Sequence, residues 1–270
     1  MMETVERHET ARGELALRRD GDRYEIISNG MFLMDTSDGR SERLLVTAAL
    51  AAVEAPRRLL IGGLGVGFSL AAGVADPRLT DITVVEREPL VVDWQHRYLR
   101  RFAESATDDP RVRIVVADLV EYASGASGRT GPSSSGVAVS PGVPGSSGVA
   151  VSSGVAASPG VVGSAGAAGS SGAAGSSGTS GAGDRFDAVC LDIDNGPEWT
   201  VTDQNGALYT ADGVAALAAL LNPGGVLAVW SASAAPAFEQ RLAAAFDEVH
   251  ALPVEVPRGE PDLVYLARRR

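Results

Sequence analysis

Arg57-Arg58-Leu59-Leu60-Ile61-Gly62-Gly63-Leu64-Gly65-Val66-Gly67-Phe68 is the stretch whose reading decides the fold. Leu59 to Ile61 read as a buried strand, and Phe68 to Val74 as the helix that follows. The glycines between them let the backbone turn sharply and approach a ligand, because a Cβ would block either. Strand, glycine turn and helix open a parallel βαβ unit, with a ligand at the carboxyl end of the first strand. A dinucleotide site wants Gly-x-Gly-x-x-Gly, and Phe68 stands where the third glycine after Gly63 and Gly65 should be. The pattern present is Gly-x-Gly-x-Gly, Gly63 to Gly67, the form typical of S-adenosylmethionine-type nucleoside sites. The bland alternative is a tight turn that binds nothing.

Downstream, Ile82 to Val85 read as the second strand, and Glu86 ends it nineteen residues after Gly67. A carboxylate there accepts hydrogen bonds from both ribose hydroxyls. Its alternative is a solvated strand-end acid, and at a strand end Glu86→Ala is expected to leave the fold intact. Pro89 suits the first turn of a helix to about Phe102. Trp94, Tyr98 and Phe102 recur on it at helical spacing and read as core, with His96 on the surface. Arg111 to Ala117 read as a third strand ending at Asp118, which either reaches an adenine amine or caps the helix Leu119 to Ala123.

Upstream, Met1 to Gly13 is charged and reads as a flexible tail. Residues 14–40 read as a β-meander: Glu14 to Arg19, Arg23 to Ser28 and Met31 to Asp35, with Asn29-Gly30 a strong hairpin signal. A well-buried helix, Leu44 to Val53, should follow, capped by Asp38 or Ser41 and stopped by Pro56.

Ser124 to Gly183 contains only Ser, Gly, Ala, Val, Pro, Thr and one Arg. Such a segment cannot bury enough apolar surface to offset its ordering entropy, so it reads as a disordered insert. Lengthening a loop from about 8 to about 60 residues costs only about 2 kcal/mol of closure entropy. The insert joins a helix to the next strand, at the amino ends of a parallel sheet, away from the ligand side.

Phe186 to Leu191 is a near-continuous apolar strand, as expected in a sheet covered on both faces. It delivers Asp192, then Asp194, Glu198 and Asp203, a dense acidic rim. Ala211 to Leu221 reads as a helix closed by Asn222-Pro223-Gly224-Gly225, Val226 to Trp230 as a strand and Pro236 to Phe246 as a helix. Val249 to Val256 and Leu263 to Ala267 are joined by too short a link for a crossover, so they should be antiparallel. The fold expected is α/β: a Rossmann-like seven-stranded, mostly parallel sheet formed by residues 41–123 and 184–270, its last strand antiparallel, preceded by the meander.

The net charge of −11 argues against nucleic acid as a partner. The single cysteine, Cys190, allows no intrachain disulfide and fits a reducing compartment, so a cytoplasmic location is expected. No apolar run is long enough for a membrane span.

The order of these pieces resembles spermidine synthase: a β-meander, a buried helix, Leu-Leu-Ile-Gly-Gly-Leu-Gly-Val-Gly, Val-Val-Glu, Asp-Pro-Arg-Val-x-x-x-x-x-Asp, then Phe-Asp-Ala-Val-x-Leu-Asp. These polyamine aminopropyltransferases share the S-adenosylmethionine-dependent methyltransferase fold. The resemblance covers Glu14 to Ala123 and Asp184 to Arg270. It implies that Gly63, Gly65 and Gly67 cradle the nucleoside, Glu86 holds its ribose, and Asp118 with Leu119 meets its adenine. Asp192 would be the base on the attacking amine, with Asp194 or Glu198 anchoring the distal ammonium. Decarboxylated S-adenosylmethionine, or S-adenosylmethionine, would enter as co-substrate, with no permanently bound cofactor and no metal. The partner implied is a small amine such as putrescine, and a homodimer is compatible with the reading.

The sequence departs from the family at definite positions. Gly65 stands where the family carries the Asp that binds the aminopropyl ammonium. The second acid of Asp-x-x-Asp-Pro falls on Asn195, followed by Gly196. Three readings stay open: aminopropyl transfer from decarboxylated S-adenosylmethionine to a diamine, methyl transfer from S-adenosylmethionine, and a non-catalytic nucleoside-binding relative.

Overall fold

A computed structural model describes residues 1–128, 185–200, 203–256 and 259–270. The chain opens with an antiparallel sheet of four strands in sequence order: β1 (Glu3–Thr10), β2 (Gly13–Asp20), β3 (Arg23–Ser28) and β4 (Met31–Asp35). The expected meander is present, but the expected tail over 1–13 is not. Its residues form the edge strand β1, paired with β2 from Glu3↔Arg19 to Thr10↔Gly13.

Glu6 explains why so polar a segment is ordered. Its carboxylate accepts from Trp94 Nε1 at 2.8 Å and from Tyr98 OH at 2.7 Å, and it pairs with Arg97. The Tyr98 and Trp94 donors pull the Glu6 pKa from 4.5 to about 2. A depressed carboxylate contributes its full stability above its unfolded pKa and loses it as pH falls through the folded one. Glu6→Gln should therefore cost about 1.5–3 kcal/mol at neutral pH, the scale of hydrogen bonds to a charged group. The gap to wild type should close as pH falls from about 4.5 toward about 2 in denaturant titrations. A gap that does not change with pH would show that the charge of Glu6 contributes nothing.

Helix α1 (Arg40–Ala51) follows and buries Leu45, Val46, Ala49 and Leu50. Its N-cap is Gly39 with no side-chain cap bond, so neither expected cap fills that place. Asp38 instead accepts from the Arg40 N–H at 3.1 Å, and Ser41 Oγ donates to Asp262 Oδ2 at 2.6 Å.

The remaining elements are β5 (Arg58–Gly62), α2 (Phe68–Val74), β6 (Asp81–Glu86), α3 (Pro89–Trp94), β7 (Val112–Val116), α4 (Leu119–Gly128), β8 (Phe186–Leu191), α5 (Ala211–Ala219), β9 (Leu221–Ser231), α6 (Pro236–Ala245), β10 (Glu248–Val254) and β11 (Asp262–Arg268). A π-helical turn, Gln95–Leu99, continues α3, and a 3-10 segment, Asp203–Tyr209, precedes α5. α4 carries the chain to Gly128, so residues 124–128, expected in the insert, are helical. The rest of the expected insert lies outside the described residues. β9 starts at Leu221, earlier than expected. Its Asn-Pro-Gly-Gly segment is held in the sheet by Gly224 N–H donating to Arg269 O at 3.0 Å and Arg269 N–H donating to Gly225 O at 2.8 Å.

The sheet order is β10-β11-β9-β8-β5-β6-β7. β5 pairs in parallel with β6 on one side and β8 on the other, so the strand order reverses beside Leu59 to Ile61, as expected. β11 runs antiparallel between β9 and β10. Alternation along β5 sorts its side chains. Leu59 and Ile61 join a core with Leu45 and Val46 of α1, Leu70 of α2, Trp94 of α3, and Leu17 and Ile26 of the first sheet. Leu60 joins the opposite core with Leu119 of α4, Leu217 of α5 and Phe238 of α6. Each such fully buried aliphatic side chain contributes roughly 1.5–3 kcal/mol relative to exposure. Among the described residues, no helix is long and apolar enough to cross a membrane.

Candidate functional site

The reversal of strand order leaves a crevice at the carboxyl ends of β5, β6 and β8. The structure has a cavity there of about 150 Å³. Its floor is Gly63 and Gly65 after β5, Glu86 at the end of β6, Ala117 and Leu119 after β7, and Asp192, Ile193 and Asp194 after β8. The first sheet closes the other side with Leu15, Ile26, Ser28, Leu33 and Met34.

One glycine is demanded by the backbone that lies against it, and a second meets a flexible side chain. Gly63 has φ +91, and a Cβ there would run into the carbonyl oxygen of Asp192, so the ends of β5 and β8 come together only because position 63 has no side chain. Gly65 has φ +48, and a Cβ there would overlap Met34 Sδ. Gly67 caps α2 and packs against Ala103, away from the cavity wall.

Glu86 is 7% exposed. Its Oε2 accepts from the Leu64 N–H at 2.9 Å and its Oε1 from the Glu88 N–H at 2.7 Å. Burial raises its pKa, and the two amide bonds oppose that rise. One carboxylate thus fixes the glycine turn while each oxygen keeps a second lone pair for a ligand.

Asp192 lines the cavity and accepts from Ser69 Oγ at 2.7 Å. Ser69, the second residue of α2, also lies 3.2 Å from the carbonyl oxygen of Glu42. Glu42, in the first turn of α1, lines the same cavity. Desolvation raises the pKa of both carboxyls, and for Glu42 the charge of Asp192 adds to the rise.

The other expected residues divide. Leu119 reaches the wall. Asp118 does not, and its side chain accepts from the Val120 N–H at 2.8 Å, so it is spent on capping α4. Asp194 lines the cavity at φ +52, its Oδ2 accepting from Asn205 Nδ2 at 2.7 Å. Glu198 is exposed and off the wall, and the side chain of Asp203 lies outside the described residues. Trp94 is buried core and His96 is exposed, as expected. Glu42, Ser69, Met34 and Trp230 are cavity or near-cavity residues that sequence reasoning missed. Only Ser69, directly behind the glycine turn, had a local signal.

No family model matches the chain. A polyamine aminopropyltransferase from Sulfurisphaera tokodaii is 30% identical over 78 residues, 29% of this chain and 26% of that protein. Putrescine N-methyltransferase 2 from Nicotiana tabacum is 32% identical over 75 residues, 28% of this chain and 21% of that protein. The matched part of the chain spans about a quarter of the length of these curated relatives. Among solved structures, the human methyltransferase-like protein 13 in complex with SAH superposes with a TM-score of 0.55 at 15% identity, over 85% of this chain and 82% of that one. A spermidine synthase in complex with the transition-state analogue AdoDATO gives 0.67 at 15% identity, over 99% and 74%. The spermidine synthase from Thermotoga maritima gives 0.64 at 14%, over 99% and 73%. The chain therefore has the fold of the S-adenosylmethionine-dependent methyltransferases. Its fold is similar to that of the two spermidine synthases, which it matches over 99% of its length.

Proposed function

We propose that the chain is a transferase that moves an alkyl group from an S-adenosyl sulfonium to an amine nitrogen, with Asp192 as the base. The observation that carries this is the placement of Asp192 in one small cavity with the glycine turn and Glu86. Glu86 binds the ribose, Leu119 packs on the adenine, and the backbone beside Asp118 pairs with its edge. The sulfonium is already a good leaving group, so the protein's work is to align the amine and strip its proton. The acidic lining, Glu42, Glu86, Glu88, Asp192 and Asp194 against Arg87, suits a cationic acceptor.

The first reading is aminopropyl transfer from decarboxylated S-adenosylmethionine to a diamine such as putrescine. It agrees with the Sulfurisphaera relative's name. The second, methyl transfer to an amine, is favoured by Met34, whose sulfur fills the space a side chain at position 65 would need. The two readings leave different products. Incubation with putrescine and each co-substrate should release methylthioadenosine in the first case and S-adenosylhomocysteine in the second. Release of neither would end both.

Gly65→Asp alone should lower Tm modestly, because it places a side chain at positive φ and makes the Met34 thioether shift. Adding Met34→Ala should recover part of that loss, since the two positions share one volume. Equal Tm values for the single and double variants would show that Met34 does not fill the gap.

A further inference from the structure

We infer that Ser69 positions the base: its hydroxyl holds one oxygen of Asp192 and leaves the other to the amine. The inference rests on the reading of Asp192 as the base for an amine. Ser69 is 1% exposed, so it acts through Asp192 and not on a ligand of its own.

Three elements meet at this hydroxyl. Ser69 Oγ, in the first turn of α2, lies 2.7 Å from Asp192 Oδ2, just past β8, and 3.2 Å from the carbonyl oxygen of Glu42 in α1. A serine hydroxyl has a single hydrogen. While Asp192 is charged both neighbours are acceptors, and the hydrogen goes to the shorter, charge-assisted contact. Oδ2 is thereby taken. Among the described residues Asp192 Oδ1 has no hydrogen-bond partner, and Asp192 lines the cavity. A carboxylate free to turn about its terminal bond spreads its lone pairs over many directions. One pinned at Oδ2 keeps Oδ1 in a single place, which is what an aligned proton transfer needs. The same hydrogen sets the strength of the base. The ionisable groups facing Asp192 are Glu42 of α1, Glu86 at the end of β6, Cys190 of β8 and Tyr209 before α5. The cavity lining adds Arg87, Glu88 and Asp194. Burial and the charge of Glu86 push the Asp192 pKa up, and the Ser69 hydrogen bond holds it down. An alanine at position 69 would supply neither the hold nor the restraint.

The test reads the Asp192 carboxyl directly, by carboxyl-carbon NMR of the full chain across a pH titration, with Asp192→Asn assigning the signal. Ser69→Ala should move the Asp192 midpoint up by about one to two pH units, the scale of a hydrogen bond to a charged group. A merely structural role for Ser69 would lower Tm and leave that midpoint where it is. Amine-dependent turnover is the second readout. Above the acid limb, Ser69→Ala should keep its affinity for methylthioadenosine and its KM for putrescine, and lose about 10- to 100-fold in kcat, the scale of a misplaced catalytic group. If wild type turns over and Ser69→Ala either fails to raise the midpoint or fails to lower kcat, the inference is overturned and the base assignment stands. Wild type with no amine-dependent turnover overturns both.

Discussion

Asp192→Asn should lower amine-dependent turnover by about 10²- to 10⁴-fold, the usual worth of a general base. Methylthioadenosine should bind it nearly as well as wild type. An amine is protonated in neutral water and has no lone pair for attack, so a base at the reacting nitrogen is indispensable. Asp192 is suited because burial raises its pKa, which makes it a better acceptor of the ammonium proton than an ordinary surface carboxylate. The wild-type rate should rise with pH along an acid limb that lies above the ordinary carboxylate range. That limb belongs jointly to Asp192 and Glu42, whose titrations interact. It should be altered or lost in Asp192→Asn. Asparagine can still accept from Ser69 Oγ, so the geometry should survive the change. If the variant instead melts much earlier with turnover lost in proportion, Asp192 serves to order the loop after β8.

Glu86→Ala carries the second large effect, and it has two parts. Loss of a charged acceptor for the ribose should weaken methylthioadenosine binding by about 1.5–3 kcal/mol. The same change leaves the amides of Leu64 and Glu88 without acceptors in a buried place. An orphaned buried donor costs about 1–3 kcal/mol, so Tm should fall as well. From its position at a strand end Glu86 was expected to be dispensable to the fold; the two amide bonds overturn that expectation. Glu86→Gln keeps one carbonyl oxygen and should recover much of the stability and less of the affinity. An unchanged dissociation constant in a folded Glu86→Ala would remove the ribose role.

The large elements were legible because each rests on a local pattern. The apolar run of β8, the glycine turn after β5 and the Asn29-Gly30 hairpin carry their own periodicity or turn chemistry. β1 was missed because its order comes from Trp94 and Tyr98, roughly ninety residues away, which no window over the first 13 residues contains. The floor of the site was legible for the same reason as the strands: ligand residues sit where strands end. The walls were not. Glu42 looks like any acid in the first turn of a helix, and Asp118 looks equally like a ligand and a cap. Met34 becomes a site residue only when β4 folds over Gly65.

That last contact ties two distant codons together. With Met34 in its observed rotamer, a carboxylate at position 65 displaces the Met34 thioether, and trimming Met34 leaves a gap with nothing yet to fill it. Positions 34 and 65 should therefore vary in concert among relatives. An acid at 65 should be found with a smaller residue at 34, and a bulky one at 34 with glycine at 65. Through this pair the small leading sheet limits what the glycine turn of the larger sheet can carry.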